Sequence, residues 1–272
     1  MKKVCVIGLG WLGEQIGDYL NKQGYFVSGT TTRQEKLEHL NVKYNTAFKL
    51  DITKEKSGNN ALLGEYDYYI LTIPPALNVL DYSKRMSDLI SYISTLNSSA
   101  KFIYTSSTSV YGANTGEVDE DSTLNPQKSS VNEIVELESF LQKYYSADAI
   151  ILRLGGLCGF NRHPSISLSG KENIKKPRAG VNLVHAEDVC RFIHFIINNG
   201  FKSGVFNFCS SEHPEKRLYY QWAASRLNVP KPLFDENDNL KDKTVICKAI
   251  LNLDFKLEYD SPYDYPELQL NE

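Results

Sequence analysis

Three glycines, Gly8, Gly10 and Gly13, stand at the spacing GxGxxG, behind an apolar run that ends at Ile7 and ahead of an amphipathic stretch that opens with Trp11 and Leu12. A bare backbone at such a bend lets a strand turn sharply, lets a diphosphate come close and lets the next helix pack tightly. The helix N-terminus adds unpaired N–H groups and the positive end of its dipole. The chemistry implied is dinucleotide binding. About twenty residues on, where such a site reads the ribose, the chain runs Gly29-Thr30-Thr31-Thr32-Arg33. No carboxylate is there to grip a 2′-hydroxyl, whereas the Thr31 hydroxyl and the Arg33 guanidinium suit a 2′-phosphate. The expected cofactor is NADP(H); in the alternative, NAD(H), Arg33 simply faces solvent.

Such a site needs strands that end together and helices that begin beside them. Val4 to Ile7, Tyr25 to Val27, Tyr68 to Leu71, Phe102 to Tyr104 and Ala149 to Leu152 read as strands buried on both faces. Between them Leu12/Ile16/Leu20, Tyr82/Met86/Leu89/Ile93 and Ile134/Leu137/Leu141/Tyr145 recur at helical spacing. Alternating units of this kind, with right-handed crossovers, predict an α/β fold with a Rossmann-type doubly wound parallel sheet. Residues 155–180 are rich in Gly, Pro, Arg, Lys and Ser without a period and read as a functional loop. A strand at Val181 to Val184, a helix through Val189 to Ile197, a strand at Val205 to Phe208 and a helix over Glu215 to Leu227 follow. The expected organisation is a dinucleotide-binding domain of residues 1–155 plus 181–208, and a small C-terminal substrate lobe of 156–180 plus 209–272.

The 272 residues carry 30 basic and 33 acidic side chains, a net charge of −3 with no basic platform, so nucleic acid and anionic membrane are not expected partners. Cys5, Cys158, Cys190, Cys209 and Cys247 are odd in number and without metal-ligand spacing; they read as buried thiols of a reducing compartment, with no metal. The apolar run after Lys2 and Lys3 is too short for a secretory signal, and no segment is long enough to span a bilayer, so the expected location is cytoplasmic. A monomer and a homodimer are equally compatible with the sequence.

Further residues resemble an extended short-chain dehydrogenase/reductase of the NAD(P)-dependent epimerase/dehydratase family along nearly the whole chain. They are Asp51-Ile52, Ile73-Pro74-Pro75, Thr105-Ser106-Ser107 leading to Val110-Tyr111-Gly112, Arg153 to Leu157, Val181 to Val189, and Asn207. The opening Gly8 to Gly13 turn, the serine run and Arg162-His163-Pro164 are similar to the atypical YeeZ-like subgroup. The resemblance implies that Asp51 and Ile52 contact the adenine, that Ile73, Pro74 and Thr105 lie along the cofactor, and that Ser107 hydrogen-bonds the substrate. Phe160-Asn161 departs from the Pro-Gly often found before that arginine.

The family's usual reaction needs a tyrosine and a lysine at i and i+4, and no tyrosine here has one; by alignment Ser130 and Ile134 occupy the two positions. Ser107 and Tyr111 remain as catalytic candidates, against local backbone bonding by the serine and packing by the tyrosine. His163 titrates near neutrality and lies in the loop, so it is a third candidate. Arg153, Arg162 and His185 are substrate-side candidates, although Arg153 could pair with a carboxylate and His185 could cap the following helix. Lys171, Lys175, Lys176 and Arg178 could join Arg162 in holding an anion or could be solvated. Glu117 to Asp121 reads as an exposed acidic turn. Two functions follow: an NADP(H)-dependent oxidoreductase or epimerase for a polar small molecule, nucleotide sugars among them, and a non-catalytic NADP(H) sensor whose loop a partner reads.

Overall fold

The computed structural model describes residues 1–54, 61–75 and 80–268, so residues 269–272 of the expected lobe lie outside the described residues. In chain order the elements are β1 (Lys3–Ile7), α1 (Trp11–Lys22), β2 (Phe26–Thr31), α2 (Leu37–Lys43), β3 (Thr46–Lys49), β4 (Tyr68–Leu71), α3 (Tyr82–Leu96), β5 (Lys101–Ser107), β6 (Gly116–Val118), α4 (Ser129–Tyr144), β7 (Ala149–Leu154), β8 (Gly156–Cys158), α5 (Pro164–Leu168), β9 (Leu183–His185), α6 (Ala186–Asn198), β10 (Gly204–Phe208), α7 (Lys216–Arg226), β11 (Lys243–Val245) and α8 (Lys248–Leu251).

Seven strands form one sheet in the order β10-β7-β5-β4-β1-β2-β3, with parallel pairing from β5 across to β3. The chain starts in the middle, moves outward through β2 and β3, and starts again at β4 on the other side of β1. This is the expected doubly wound α/β sheet, and the reversal between β1 and β4 opens a crevice beyond their C-terminal ends where such sheets take a ligand. Val4 to Ile7, Tyr68 to Leu71 and Ala149 to Leu154 are buried along their length, the signature of parallel strands covered on both faces. Ile16 and Leu20 of α1, Met86, Leu89 and Ile93 of α3, and Ile134, Leu137 and Leu141 of α4 are the buried stripes that their helical period predicts.

By its internal contacts the chain divides into two compact units, Met1–Ser106 with Gln127–Leu152 and Cys190–Val205, and Ser107–Pro126 with Arg153–Val189 and Phe206–Glu272. These bounds differ from those expected, because residues 107–126, 153–155, 181–189 and 206–208 group with the second unit. Long-range pairing is the cause. β6 pairs in parallel with β11, and β9 pairs with β8 in a second two-stranded sheet. An apolar run announces a strand without naming its partner. The loop of 155–180 accordingly contains β8 and α5.

Two further expectations are corrected. Glu117 to Asp121 is not simply an exposed turn: Asp119 and Asp121 do meet Lys248 Nζ at 3.4 and 2.8 Å, but Glu120 turns inward. Its Oε1 accepts from the backbone N–H of Asn207 at 2.9 Å and of Ala249 at 3.2 Å, and its Oε2 is buried with no hydrogen-bond partner among the described residues. All five cysteines are free thiols, but Cys247 is only half-buried.

Candidate functional site

In the first unit a cavity of about 540 Å³ lies at the C-terminal ends of β1 to β4, walled by residues 8–11, 30–33, Lys36, 50–53 and 72–74. The turn after β1 is built by its glycines. Gly8 has φ 107°, a region that L side chains avoid. Its N–H donates to Thr30 Oγ1 at 2.9 Å, and Leu9 N–H donates to the Thr30 carbonyl at 2.7 Å, so the bend is fastened to β2. A Cβ on Gly13 would lie 2.1 Å from the Gly8 carbonyl oxygen; no other residue lets α1 approach so closely. At Gly10 the same test meets nothing within 4 Å. Gly10 is also the N-cap of α1, and no side chain caps that helix, which leaves its first amides available to an anion. Trp11 lines the cavity beside it, while Leu12 and Gly13 stand behind in the helix.

The end of β2 carries the charge. Thr31 is buried, and its Oγ1 accepts from Arg33 N–H at 3.2 Å. Arg33 is exposed on the cavity wall, and its guanidinium makes no hydrogen bond or ion pair among the described residues. Lys36, which sequence reasoning missed, lies one turn further on and lines the same wall, with Nζ 2.9 Å from Glu14 Oε1. A lysine three residues after an arginine in a short helix has no sequence signature of its own. Asp51 accepts from the Thr53 hydroxyl at 2.6 Å and the Thr53 N–H at 3.0 Å. Those bonds, the hydroxyl's foremost, hold its carboxyl below the usual range. Arg85 Nη1 holds the Ile52 carbonyl at 3.0 Å, and Tyr82 OH donates to the Ile73 carbonyl at 2.7 Å. Ile73 and Pro74 complete the lining; Thr105 is not part of it and donates instead to the Leu71 carbonyl at 2.9 Å.

The second unit puts most of the catalytic candidates to structural use. Ser107 Oγ accepts from Ser109 N–H at 3.1 Å and caps a 3-10 turn over Thr108–Tyr111. Tyr111 is wholly buried, and its hydroxyl donates to Asn207 Oδ1 at 2.7 Å while accepting from Arg153 Nη1 at 2.9 Å. Burial raises its pKa, with Arg153 opposing. Of the two roles open to it, this is the geometry of packing. Arg153, itself buried, also donates to the Glu120 carbonyl at 3.3 Å, so it ties strand β7 to the 111–120 segment rather than facing a substrate anion. Asn207 closes this clasp, with Nδ2 donating to the Ile246 carbonyl at 2.9 Å. Sequence singled out Asn207 by resemblance alone, because its partners are distant along the chain.

His163 is 9% exposed and caps α5, its Nδ1 accepting from Ser165 N–H at 3.1 Å while Nε2 meets Tyr219 Oη at 2.9 Å. Burial, with the Arg226 charge adding to it, lowers its pKa to about 4, so a neutral ring replaces the expected near-neutral proton carrier. It lines a cavity of about 140 Å³ with Cys158, Tyr219, Trp222 and Arg226. His185 Nδ1 accepts from Glu187 N–H at 3.4 Å at the start of α6. Its ring is enclosed by Phe160, Tyr259 and Tyr265, and burial lowers its pKa; its place is that of a helix cap. Arg162 is exposed, its backbone paired both ways with Gly159 at 2.9 Å. Between them Phe160 takes φ 52°, the backbone form that the unusual Phe160-Asn161 pair must adopt. Three of the loop cations are engaged by protein: Lys175 meets Asp235 at 2.6 Å, Lys176 meets Asp242 at 2.9 Å, and Arg178 donates to Asn239 Oδ1 at 2.9 Å, while Lys171 is exposed. They fasten the loop to residues 235–242.

Among the described residues no helix is long and apolar enough to cross a membrane. A model of the NAD dependent epimerase/dehydratase family matches residues 4–209. Protein YeeZ of Escherichia coli strain K12 is 31% identical over 274 residues, which is 98% of this chain and 99% of that protein. Among solved structures, the Bordetella bronchiseptica enzyme WbmH, in complex with NAD+, has a TM-score of 0.73 at 21% identity and covers 92% of this chain and 91% of its own. UDP-N-acetylglucosamine 4-epimerase from Bacillus cereus has a TM-score of 0.73 at 15% identity, covering 95% of each chain. At those identities the two structures speak to fold.

Proposed function

Because this chain belongs to the NAD dependent epimerase/dehydratase family, we propose that it binds NADP(H) in the 540 Å³ cavity and acts on a polar small molecule as an oxidoreductase or epimerase. The residues fit such a group: the open position over Gly10 and the uncapped start of α1 suit a diphosphate. Arg33 carries the choice of cofactor. A guanidinium with no hydrogen bond or ion pair among the described residues, on the wall at the end of β2 with Lys36 beside it, favours a 2′-phosphate over a 2′-hydroxyl. Asp51 and Ile52 would serve the adenine side, with Ile73 and Pro74 further along. When bound, the cofactor supplies a hydride acceptor and donor.

The proton chemistry falls to fewer groups than the family's usual pair. Ile134, where a lysine would stand, is a core residue. Ser107 keeps its own hydroxyl hydrogen after accepting from Ser109 N–H, and it is our candidate for polarising the substrate oxygen. Nucleotide sugars are the first substrates to try, given the substrate named for the Bacillus cereus structure. One observation favours the sensor instead: Tyr111, His163 and Arg153 are all buried and bonded to protein, which leaves Ser107 alone of the three catalytic candidates.

Calorimetry with NADPH and NADH, on the parent chain and on Arg33→Ala, tests the cofactor. Preference for NADH, or an unchanged ratio in the variant, would refute the NADP(H) assignment. Incubation of loaded protein with UDP-hexoses, followed by NMR of sugar stereochemistry, tests turnover, including an epimerisation that regenerates its cofactor. Tight NADPH binding with no altered sugar or reduced product across the panel selects the sensor.

A further inference from the structure

Cys209, just past the end of β10, and Cys247, the N-cap residue of α8, bring their sulfurs to 3.4 Å. Both line a cavity of about 580 Å³ in the second unit, in which Ser211, His213 and Lys256 also take part. The two thiols are not equivalent. Cys209 is buried and Cys247 is half-buried, so a small oxidant in the cavity meets Cys247 first. The backbone N–H of Cys209 is directed at Cys247 Sγ at 3.2 Å, a donor that supports negative charge on that sulfur. Each sulfur also has a carbonyl acceptor, Val245 at 3.4 Å for Cys209 Sγ and Cys209 at 3.5 Å for Cys247 Sγ, so exposure and the Cys209 N–H are what set Cys247 apart.

We propose that Cys209 and Cys247 are a reversible dithiol–disulfide pair, a modification site for hydroperoxides that enter this cavity. The Cys247 thiolate attacks a peroxide oxygen; an S–O bond forms, the O–O bond breaks, and the leaving oxygen departs as an alcohol or water after taking a proton. The Cys209 thiol then gives up its proton and attacks the Cys247 sulfur; the S–S bond forms, the S–O bond breaks, and water leaves. Two thiols lose two protons and two electrons, and one hydroperoxide is reduced. The sulfurs must close to about 2.05 Å, over backbones already held in place. Val245 N–H donates to Asn182 Oδ1 at 2.8 Å, and Asn207 Nδ2 donates to the Ile246 carbonyl at 2.9 Å. Cys5, Cys158 and Cys190 are buried and serve as internal controls.

The test treats the reduced full chain with equimolar hydrogen peroxide, blocks remaining thiols in denaturant and maps the peptides by mass spectrometry. Free thiols are expected to fall from the five of the chain by the pair joined, with a Cys209–Cys247 linked peptide that a dithiol reductant reverses. In Cys209→Ser the intermediate on Cys247 should be trapped by dimedone, and Cys247→Ser should leave Cys209 unoxidised. Retention of all thiols, or a link between other cysteines, overturns the proposal. The wild-type map decides it even where a variant fails to fold.

Discussion

His163 makes the stability of the second unit depend on pH in a window that its surroundings define. Its Nδ1 accepts from Ser165 N–H and so bears no hydrogen. Nε2–H therefore donates to Tyr219 Oη, and the Tyr219 hydroxyl donates onward to the Pro262 carbonyl at 3.4 Å. Protonating the ring breaks the cap and places a cation on a buried side chain near the Arg226 charge. The folded-state pKa of about 4 lies below the ordinary 6.5, so between those values the unfolded chain binds the proton and the folded one does not. Stability is then complete above about pH 6.5 and falls as pH drops to about 4, by about 3 kcal/mol in all. His163→Asn retains a good N-cap residue and removes the titration. Urea unfolding from about pH 8 to about pH 4, followed through Trp222 in a Trp11→Phe background, measures both chains, Trp222 lying on the His163 cavity. His185, His194 and His213 are also shifted downward by burial, and they cancel in the difference. The stability advantage of the parent over the variant should shrink by about 3 kcal/mol across the window. A difference that stays constant with pH would refute the assignment of a neutral, capping imidazole.

Two glycines separate binding from folding. Gly10→Ala, with φ −93° and no atom within 4 Å of the new Cβ, should leave the thermal midpoint nearly unchanged, with stability within about 0.5 kcal/mol, yet weaken NADPH in calorimetry by more than about tenfold. Gly13→Ala, whose Cβ would meet the Gly8 oxygen at 2.1 Å, should lose more than about 4 kcal/mol in denaturant unfolding. Tyr111→Phe leaves Asn207 Oδ1 and Arg153 Nη1 each short of a buried partner. We expect a loss of about 2–4 kcal/mol in urea with NADPH affinity unaltered; an intact stability would show the clasp to be idle. Arg33→Ala should weaken NADPH about fivefold, the equivalent of about 1 kcal/mol for an exposed charge, and leave NADH where it was.

Much of the sheet could be read from sequence because parallel strands and their helices carry local signals. The buried runs at Val4 to Ile7, Tyr68 to Leu71 and Ala149 to Leu152, and the stripe of Leu137 and Leu141, need no distant partner to be recognised. The glycine turn is equally local, and residues 8, 10, 31, 33, 51, 52, 73 and 74 do share one cavity wall. Lys36 joins them only because a short helical turn folds back over Glu14. For Tyr111, Arg153 and His163 the sequence leaves the functional and the structural role open for a different reason. Exposure decides whether a tyrosine is an acid or a packing group, and here it is set by Asn207 and Tyr219, far along the chain. Lys175 and Lys176 read as available because their acids, Asp235 and Asp242, belong to a stretch with no period of its own.

The clasp of Arg153, Tyr111 and Asn207 joins residues separated by 42 and 96 positions, and β6 must wait for β11 before it has a neighbour. During synthesis the first four strands of the large sheet, β1 to β4, are complete by Leu71 and can condense early. The second unit has to hold Tyr111 and Glu120 without Asn207 and Ala249, their final partners, until the closing third of the polypeptide has left the ribosome. High contact order of this kind slows assembly and lengthens exposure to aggregation. A nonsense mutation shortly before Asn207 would therefore yield a chain with an early-forming half and a persistent, chaperone-binding remainder.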